Sequence, residues 1–164
     1  MEKPEKNKTN QITYEATGMQ KLYDTVRSRG AGNIVTVSGF DWGYDLSGVL
    51  QGYAIKGSNY LYETHLYPSR KNWDKYFDDI SDKYPVYVGE WGYGGDESAG
   101  TNGPVYARSL MDFMQKHHLS WTAWDLHPKA SPCLIKDWTY EPTDFGQIVK
   151  DKLAAAAAAR GLNN

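Results

Sequence analysis

The sequence predicts an α/β domain in which one helix precedes four strand–helix units on a parallel sheet. Two patterns point to this. Runs of β-branched and aromatic residues alternate with segments of helical apolar periodicity, and strands that alternate with helices form parallel sheets with right-handed crossovers. The third observation is where the unusual loops fall. Segments that mix Gly, Trp, Tyr, Asp and His all follow predicted strands, so they gather at the carboxyl ends of the sheet, where parallel α/β folds place their sites.

Residues 13–29 read as the first helix, with Met19, Leu22, Tyr23 and Val26 at i, i+3, i+4 and i+7 and Gly30 as its stop. Residues 33–38 form the first predicted strand, which runs into an aromatic loop at 39–45. A short helix is expected at 46–53, and 60–67 is the second strand. Residues 72–83 are amphipathic, with Trp73, Tyr76, Phe77 and Ile80 on one stripe; 85–90 is the third strand. A loop with five glycines spans 92–103. The helix at 104–117 has Pro104 in its first turn and turns Ala107, Leu110, Met111 and Met114 inward. Residues 119–125 are the fourth strand, and a long loop runs to Pro142. Thr143 then caps a last helix with Phe145, Ile148, Val149 and Leu153 on one face; the alanine run at 154–159 extends it. This reads as a polar tail (1–12), one α/β domain (13–159) and a short tail (160–164).

Composition excludes several functions. The 164 residues allow a single domain with a real core. Lys and Arg total 18 against 20 Asp and Glu, and no basic stripe points to nucleic acid. Cys133 stands alone, which rules out an internal disulfide and a four-thiolate zinc site. No run approaches the ~20 apolar residues of a membrane span. The polar N-terminus has no signal-peptide pattern, and the sequon at Asn7 has no secretory context, so localisation stays open. No strand–helix turn carries a Gly-x-Gly-x-x-Gly loop, and no cofactor or metal is expected. His117 and His118 suit a helix C-terminus, and His127 lacks partners at ligand spacing.

Three strand ends carry the candidate chemistry. Glu90, in Val-Gly-Glu-Trp-Gly, ends the third strand between Gly89 and Gly92. His65 and Tyr67 are two apart on the second strand and share a face. The second and third strands are expected neighbours, so a tyrosine hydroxyl can reach Glu90 and hold its carboxylate oriented for attack on a sugar carbon. Trp124 ends the fourth strand beside Asp125 and His127. Trp42, Trp91 and Trp124 are candidate sugar platforms, because a flat ring with a polar edge suits the C–H face of a pyranose. Trp73 reads as helix core, Trp138 as core or platform, and Asp96–Glu97 as a solvated pair. Glu63 shares the face of His65, deeper in the strand, and reads as an ion-pair partner rather than a second acid.

Thr-His-Leu-Tyr at 64–67, Glu90 23 residues past that tyrosine, and Trp-Thr-Ala-Trp-Asp at 121–125 together resemble the carboxyl-terminal half of a family 5 glycoside hydrolase of the cellulase type. The resemblance covers residues 13–150. It implies half of a (β/α)8 TIM barrel, the fifth to eighth units, and retaining hydrolysis of β-linked glucans by an endo-β-1,4-glucanase-like site. Glu90 matches the nucleophile, His65 and Tyr67 the pair that orders it, Trp124 the stacking tryptophan, and Trp42 a further aromatic.

The family's acid/base glutamate belongs to an Asn-Glu-Pro motif; the nearest match here is Glu2-Lys3-Pro4, with lysine in the glutamate's place. The family's early-strand arginine has no counterpart either. Four parallel strands cannot close a barrel and leave two unpaired edges. The expected partners are therefore a β-glucan and either a second copy of the chain or a complementary N-terminal half. The alternatives are a non-catalytic carbohydrate-binding or structural half-barrel, and an open flavodoxin-like sheet.

Overall fold

The computed structural model describes residues 5–6, 13–14, 16–70, 72–73, 79–94 and 100–161. Strands β1 (Glu5–Lys6) and β2 (Thr13–Tyr14) pair antiparallel, so the expected polar tail contains a strand. The first helix, α1 (Met19–Ser28), starts later than its periodicity suggests, with Gly18 as N-cap. Strand β3 (Val35–Ser38) leads to a single 3-10 turn at Ser47–Val49 and then to β4 (Tyr60–Leu66). Of the predicted helix at 72–83, Trp73 and α2 (Asp79–Ser81) are described as helical, while Tyr76 and Phe77 lie outside the described residues. Strand β5 (Val86–Trp91), α3 (Gly103–Lys116), β6 (Ser120–Trp121) and α4 (Asp144–Ala159) complete the order.

Both long helices begin at the caps the sequence supplies. Asn102 accepts a hydrogen bond from Val105 N at 3.2 Å, and Thr143 Oγ1 accepts one from Gly146 N at 3.0 Å. The alanine run forms the last turns of α4. α1 differs from expectation. Tyr23 is buried and donates to Ser58 O at 2.7 Å, but Met19, Leu22 and Val26 on the same apolar stripe are exposed.

The four longer-range strands form one parallel sheet in the order β3–β4–β5–β6. β6 is shorter than the predicted strand, although the chain keeps following β5: Thr122 N donates to Val88 O at 3.0 Å and Trp124 N to Trp91 O at 2.9 Å. Alternation divides the sheet into two faces. Val37, Tyr62, Thr64, Leu66, Val86, Val88 and Trp91 are buried in a core shared with Leu110, Met111 and Met114 of α3 and Phe145 of α4. The other face carries Ser38, Glu63, His65 and Tyr87, together with the exposed Thr36 and Thr122.

One break in register decides what that second face can do. Thr64 pairs with Val88, but the next residue, His65, pairs with Glu90, and Gly89 is skipped. Strict alternation from Val86 and Val88 would drive Glu90 into the core. The bulge at Gly89 adds one residue, so Glu90 stands beside His65 and Trp91 takes the buried position instead.

Candidate active site

Glu90 lies at the carboxyl end of β5, and Tyr67, one residue past the end of β4, donates its hydroxyl hydrogen to Glu90 Oε2 at 3.0 Å. His65 Nδ1 stands 3.6 Å from the same oxygen, an ion-pair distance. The other ring nitrogen, Nε2, is 3.4 Å from Glu63 Oε1, and Ser38 Oγ donates to Glu63 Oε2 at 3.2 Å. Side-chain exposure of 20% for Glu63, 22% for His65 and 28% for Glu90 makes this a shallow, partly shielded cluster. The structure thus brings together Glu90, His65 and Tyr67, which the sequence singled out, and adds Glu63 and Ser38. Glu63 was legible as a residue two positions from His65 on the same face, whereas Ser38 gave no signal beyond its place in a strand.

The loop after β3 closes over this cluster. A tight turn holds it, with reciprocal Phe40–Asp45 backbone hydrogen bonds at 2.9 Å and left-handed conformations at Asp41 and Trp42. Gly43 passes against the His65 imidazole: a Cβ there would lie 2.9 Å from Nδ1, at a φ of 81° that already favours glycine. Arg70 anchors the loop by an ion pair with Asp41 and by lying 5.0 Å from the centre of the Tyr44 ring. Thr64 Oγ1 donates to Tyr44 O at 3.0 Å and ties the same loop to β4. On this anchored turn Trp42 is 86% exposed.

The three candidate tryptophans have different fates. Trp42 and Trp124 offer exposed rings, Trp124 at 39%, and the Trp124–Asp125 peptide is cis. Trp121 and Ala123 pack on the core, so Trp124 takes the face of Thr122, whose Oγ1 meets Tyr87 Oη at 2.6 Å. Trp91 is a correction to the sequence reading: it is fully buried, edge-on to Trp121 at 5.5 Å and Phe145 at 5.2 Å. The bulge that turns Glu90 outward turns Trp91 inward, and no face of its ring is left for a sugar. Trp138 is 60% exposed and edge-on to His127, whereas Trp73 packs against Tyr106 and Phe113. Asp96–Glu97 lies outside the described residues. Among the described residues no group of three or more His, Cys, Asp or Glu is placed to hold a metal ion.

Residues 4–130 match the family model for cellulase, glycosyl hydrolase family 5. An endoglucanase of Clostridium saccharobutylicum is 28% identical over 114 residues, 66% of this chain and 25% of that protein. Among solved structures, a β-glucanase from Saccharophagus degradans in complex with cellotetraose superposes with a TM-score of 0.73 at 28% identity, covering 84% of this chain and 46% of that one. The catalytic domain of a Thermobifida fusca endoglucanase shares the fold, with a TM-score of 0.68 at 21% identity, 82% of this chain and 50% of that domain. The chain therefore spans half or less of the length of these relatives, and its four parallel strands match part of their barrel. This protein belongs to glycosyl hydrolase family 5, the cellulase family, and represents part of that family's domain.

Proposed function

We propose that this chain is the nucleophile-bearing part of a retaining β-glucan hydrolase of the endo-β-1,4-glucanase type. The observation that supports this best is the Tyr67 hydroxyl on Glu90 Oε2 at a strand end, 3.0 Å away and flanked by His65. A carboxylate held in one orientation by a donor is what attack on an anomeric carbon requires. Glu90 forms the glycosyl ester as the bond to the leaving sugar oxygen breaks, and water then hydrolyses that ester. Tyr67 and His65 hold the attacking oxygen in place, and Trp42 and Trp124 carry the sugar rings. The S. degradans relative was crystallised with cellotetraose, so cello-oligosaccharides are the first ligands to test.

A retaining site pairs its nucleophile with a second carboxyl group about 5 Å away. Glu63 is bound to Ser38 and His65 two residues down the strand, and the chain has no Asn-Glu-Pro segment. In this reading the acid/base comes from outside these residues, and a half-barrel is completed by a second copy or by a complementary N-terminal half. The β3 and β6 edges support that view. Met19, Leu22 and Val26 of α1 and Ile34, just before β3, are exposed, and Leu126, Tyr140 and Leu153, all after β6 in the chain, help line an apolar cavity of about 280 Å³. Light scattering tests closure by a second copy, for which a strict monomer is the contrary result.

The deciding experiment is hydrolysis of an activated aryl cellobioside by the wild-type chain and by Glu90→Gln. The expected result is turnover that the substitution abolishes, and unchanged turnover in the variant refutes the assignment. Cello-oligosaccharide binding that weakens on Trp124→Ala, with no product formed, would instead mark the binding-only alternative.

A further inference from the structure

We propose that Glu63 is a positioning residue of this site, acting on Glu90 through His65. The effect on turnover rests on Glu90 being the nucleophile; the effect on His65 does not. His65 has two ring nitrogens, and each faces a different carboxylate: Nε2 faces Glu63 Oε1 at 3.4 Å and Nδ1 faces Glu90 Oε2 at 3.6 Å. An imidazole so placed can spin about its Cβ–Cγ bond unless something holds one edge. Two contacts hold it here, and a third secures the first of them. Glu63 takes the Nε2 edge. Gly43 lies against the ring close enough that a methyl group there would press on Nδ1 and Cε1 at 2.9 and 3.0 Å. Ser38 Oγ, from the adjacent strand, fixes the far oxygen of Glu63 at 3.2 Å.

The room for Glu63 is itself built in. Gly89 is the bulge residue, and a Cβ at that position would run into Glu63 Oε1 and lie 2.6 Å from its Cγ and Cδ. The residue that turns Glu90 toward His65 therefore also opens the space in which Glu63 reaches the other side of the same ring. Donation from Nε2 to Glu63 holds that edge of the ring and keeps Nδ1 beside Glu90, where a proton on Nδ1 meets Oε2 and the protonated imidazole bridges the two carboxylates. The chain Ser38–Glu63–His65–Glu90 thus crosses three strands and ends on the carboxylate that Tyr67 holds from its own side.

Two readouts test this on the 164-residue chain, with folding followed by circular dichroism. The first is the ring-nitrogen NMR spectrum of His65, assigned by its loss in His65→Asn. The expected result is an Nε2 proton protected from exchange with water in the wild type, lost to exchange in Glu63→Met, which fills the space but accepts no hydrogen bond, and retained in Glu63→Gln, whose carbonyl still accepts. The second readout is kinetic. Glu63→Met is expected to lower kcat on the aryl cellobioside on the order of tenfold or more with little change in KM, as removal of an orienting partner does, and Glu63→Gln is expected to restore most of it. If Glu63→Met fails to fold, Ser38→Ala is the substitute, with a smaller change in the same direction expected in both readouts. Wild-type-like ring signals and kcat in Glu63→Met would overturn the proposal, and so would equal losses in Met and Gln. A wild-type ring held at Nε2 without any turnover would remove the nucleophile assignment and leave the role of Glu63 on His65 standing.

Discussion

Glu63 fills the space beside Gly89 on the neighbouring parallel strand, so that a single methyl group on Gly89 would collide with the Glu63 carboxyl. The contact lies at the bulge that lets Glu90 meet His65. Gly89→Ala is therefore expected to destabilise the chain by about 1–3 kcal/mol, the usual cost of forcing a carbon into a packed site. In a Glu63→Ala background the same substitution is expected to cost much less, because the atoms it meets are gone. Chemical denaturation of the four proteins measures this coupling. Equal costs in the two backgrounds would show that the bulge backbone, not Glu63, demands the glycine.

Tyr67→Phe removes the donor to Glu90 and keeps the ring. Hydrogen bonds to charged groups contribute about 1.5–3 kcal/mol, so kcat on the aryl cellobioside is expected to fall roughly 10- to 100-fold. Cello-oligosaccharide affinity, measured by calorimetry, should stay within about twofold if Tyr67, as proposed, orients the attacking group and does not carry the sugar. A loss of affinity with kcat intact would move Tyr67 from the nucleophile to a sugar contact.

Trp42 extends from a turn that Asp41, Arg70, Tyr44 and Thr64 fasten to the sheet. A ring presented on an anchored turn binds with little ordering cost. Trp42→Ala is expected to weaken cello-oligosaccharide binding by about tenfold, in the range of buried aromatic anchors at interfaces. Arg70→Met should weaken it less, by releasing the turn while leaving the ring in place. Titration calorimetry of both variants tests the order, and an effect larger in Arg70→Met than in Trp42→Ala would contradict it.

Tyr106 is 8% exposed, and its hydroxyl has no hydrogen-bond partner among the described residues. Burial pushes its pKa well above the ordinary value of 10.0, and nearby Tyr67 and Tyr44 push the same way. A buried hydroxyl without a partner costs about 1–3 kcal/mol, and Phe preserves the packing against Trp73. Tyr106→Phe is therefore expected to raise the denaturation midpoint at neutral pH. The raised pKa adds an alkaline effect. Below pH 10 the tyrosine is neutral in both folded and unfolded chains; above it the unfolded chain ionises first, and stability drains away as pH rises. The Phe variant lacks this loss, so its advantage should widen above pH 10, as denaturation across that range would show. A lower midpoint in the variant would reveal that the hydroxyl is paired.

The sequence by itself determined the order of the four strands of the parallel sheet and of the helices α1, α3 and α4 among them, and the strand ends that carry Glu90, His65, Tyr67 and Trp124. Those features are local: side-chain period, caps such as Thr143 and stops such as Gly30 depend on neighbours in the chain. It overextended α1, whose first predicted residues instead form β2, because a short pairing with β1 competes with helix there. Tertiary structure decided which side of the sheet each end residue faces. Trp42, Trp91 and Trp124 are alike as letters, yet one is 86% exposed, one fully buried and one 39% exposed. The skipped Gly89 shifts every later residue of β5 to the opposite face, and it can do so only because β4 lies alongside to set the register and Glu63 fills the space the glycine leaves. Neither constraint is written in the spacing of one strand, since each arises from the atoms of another strand that occupy the same volume.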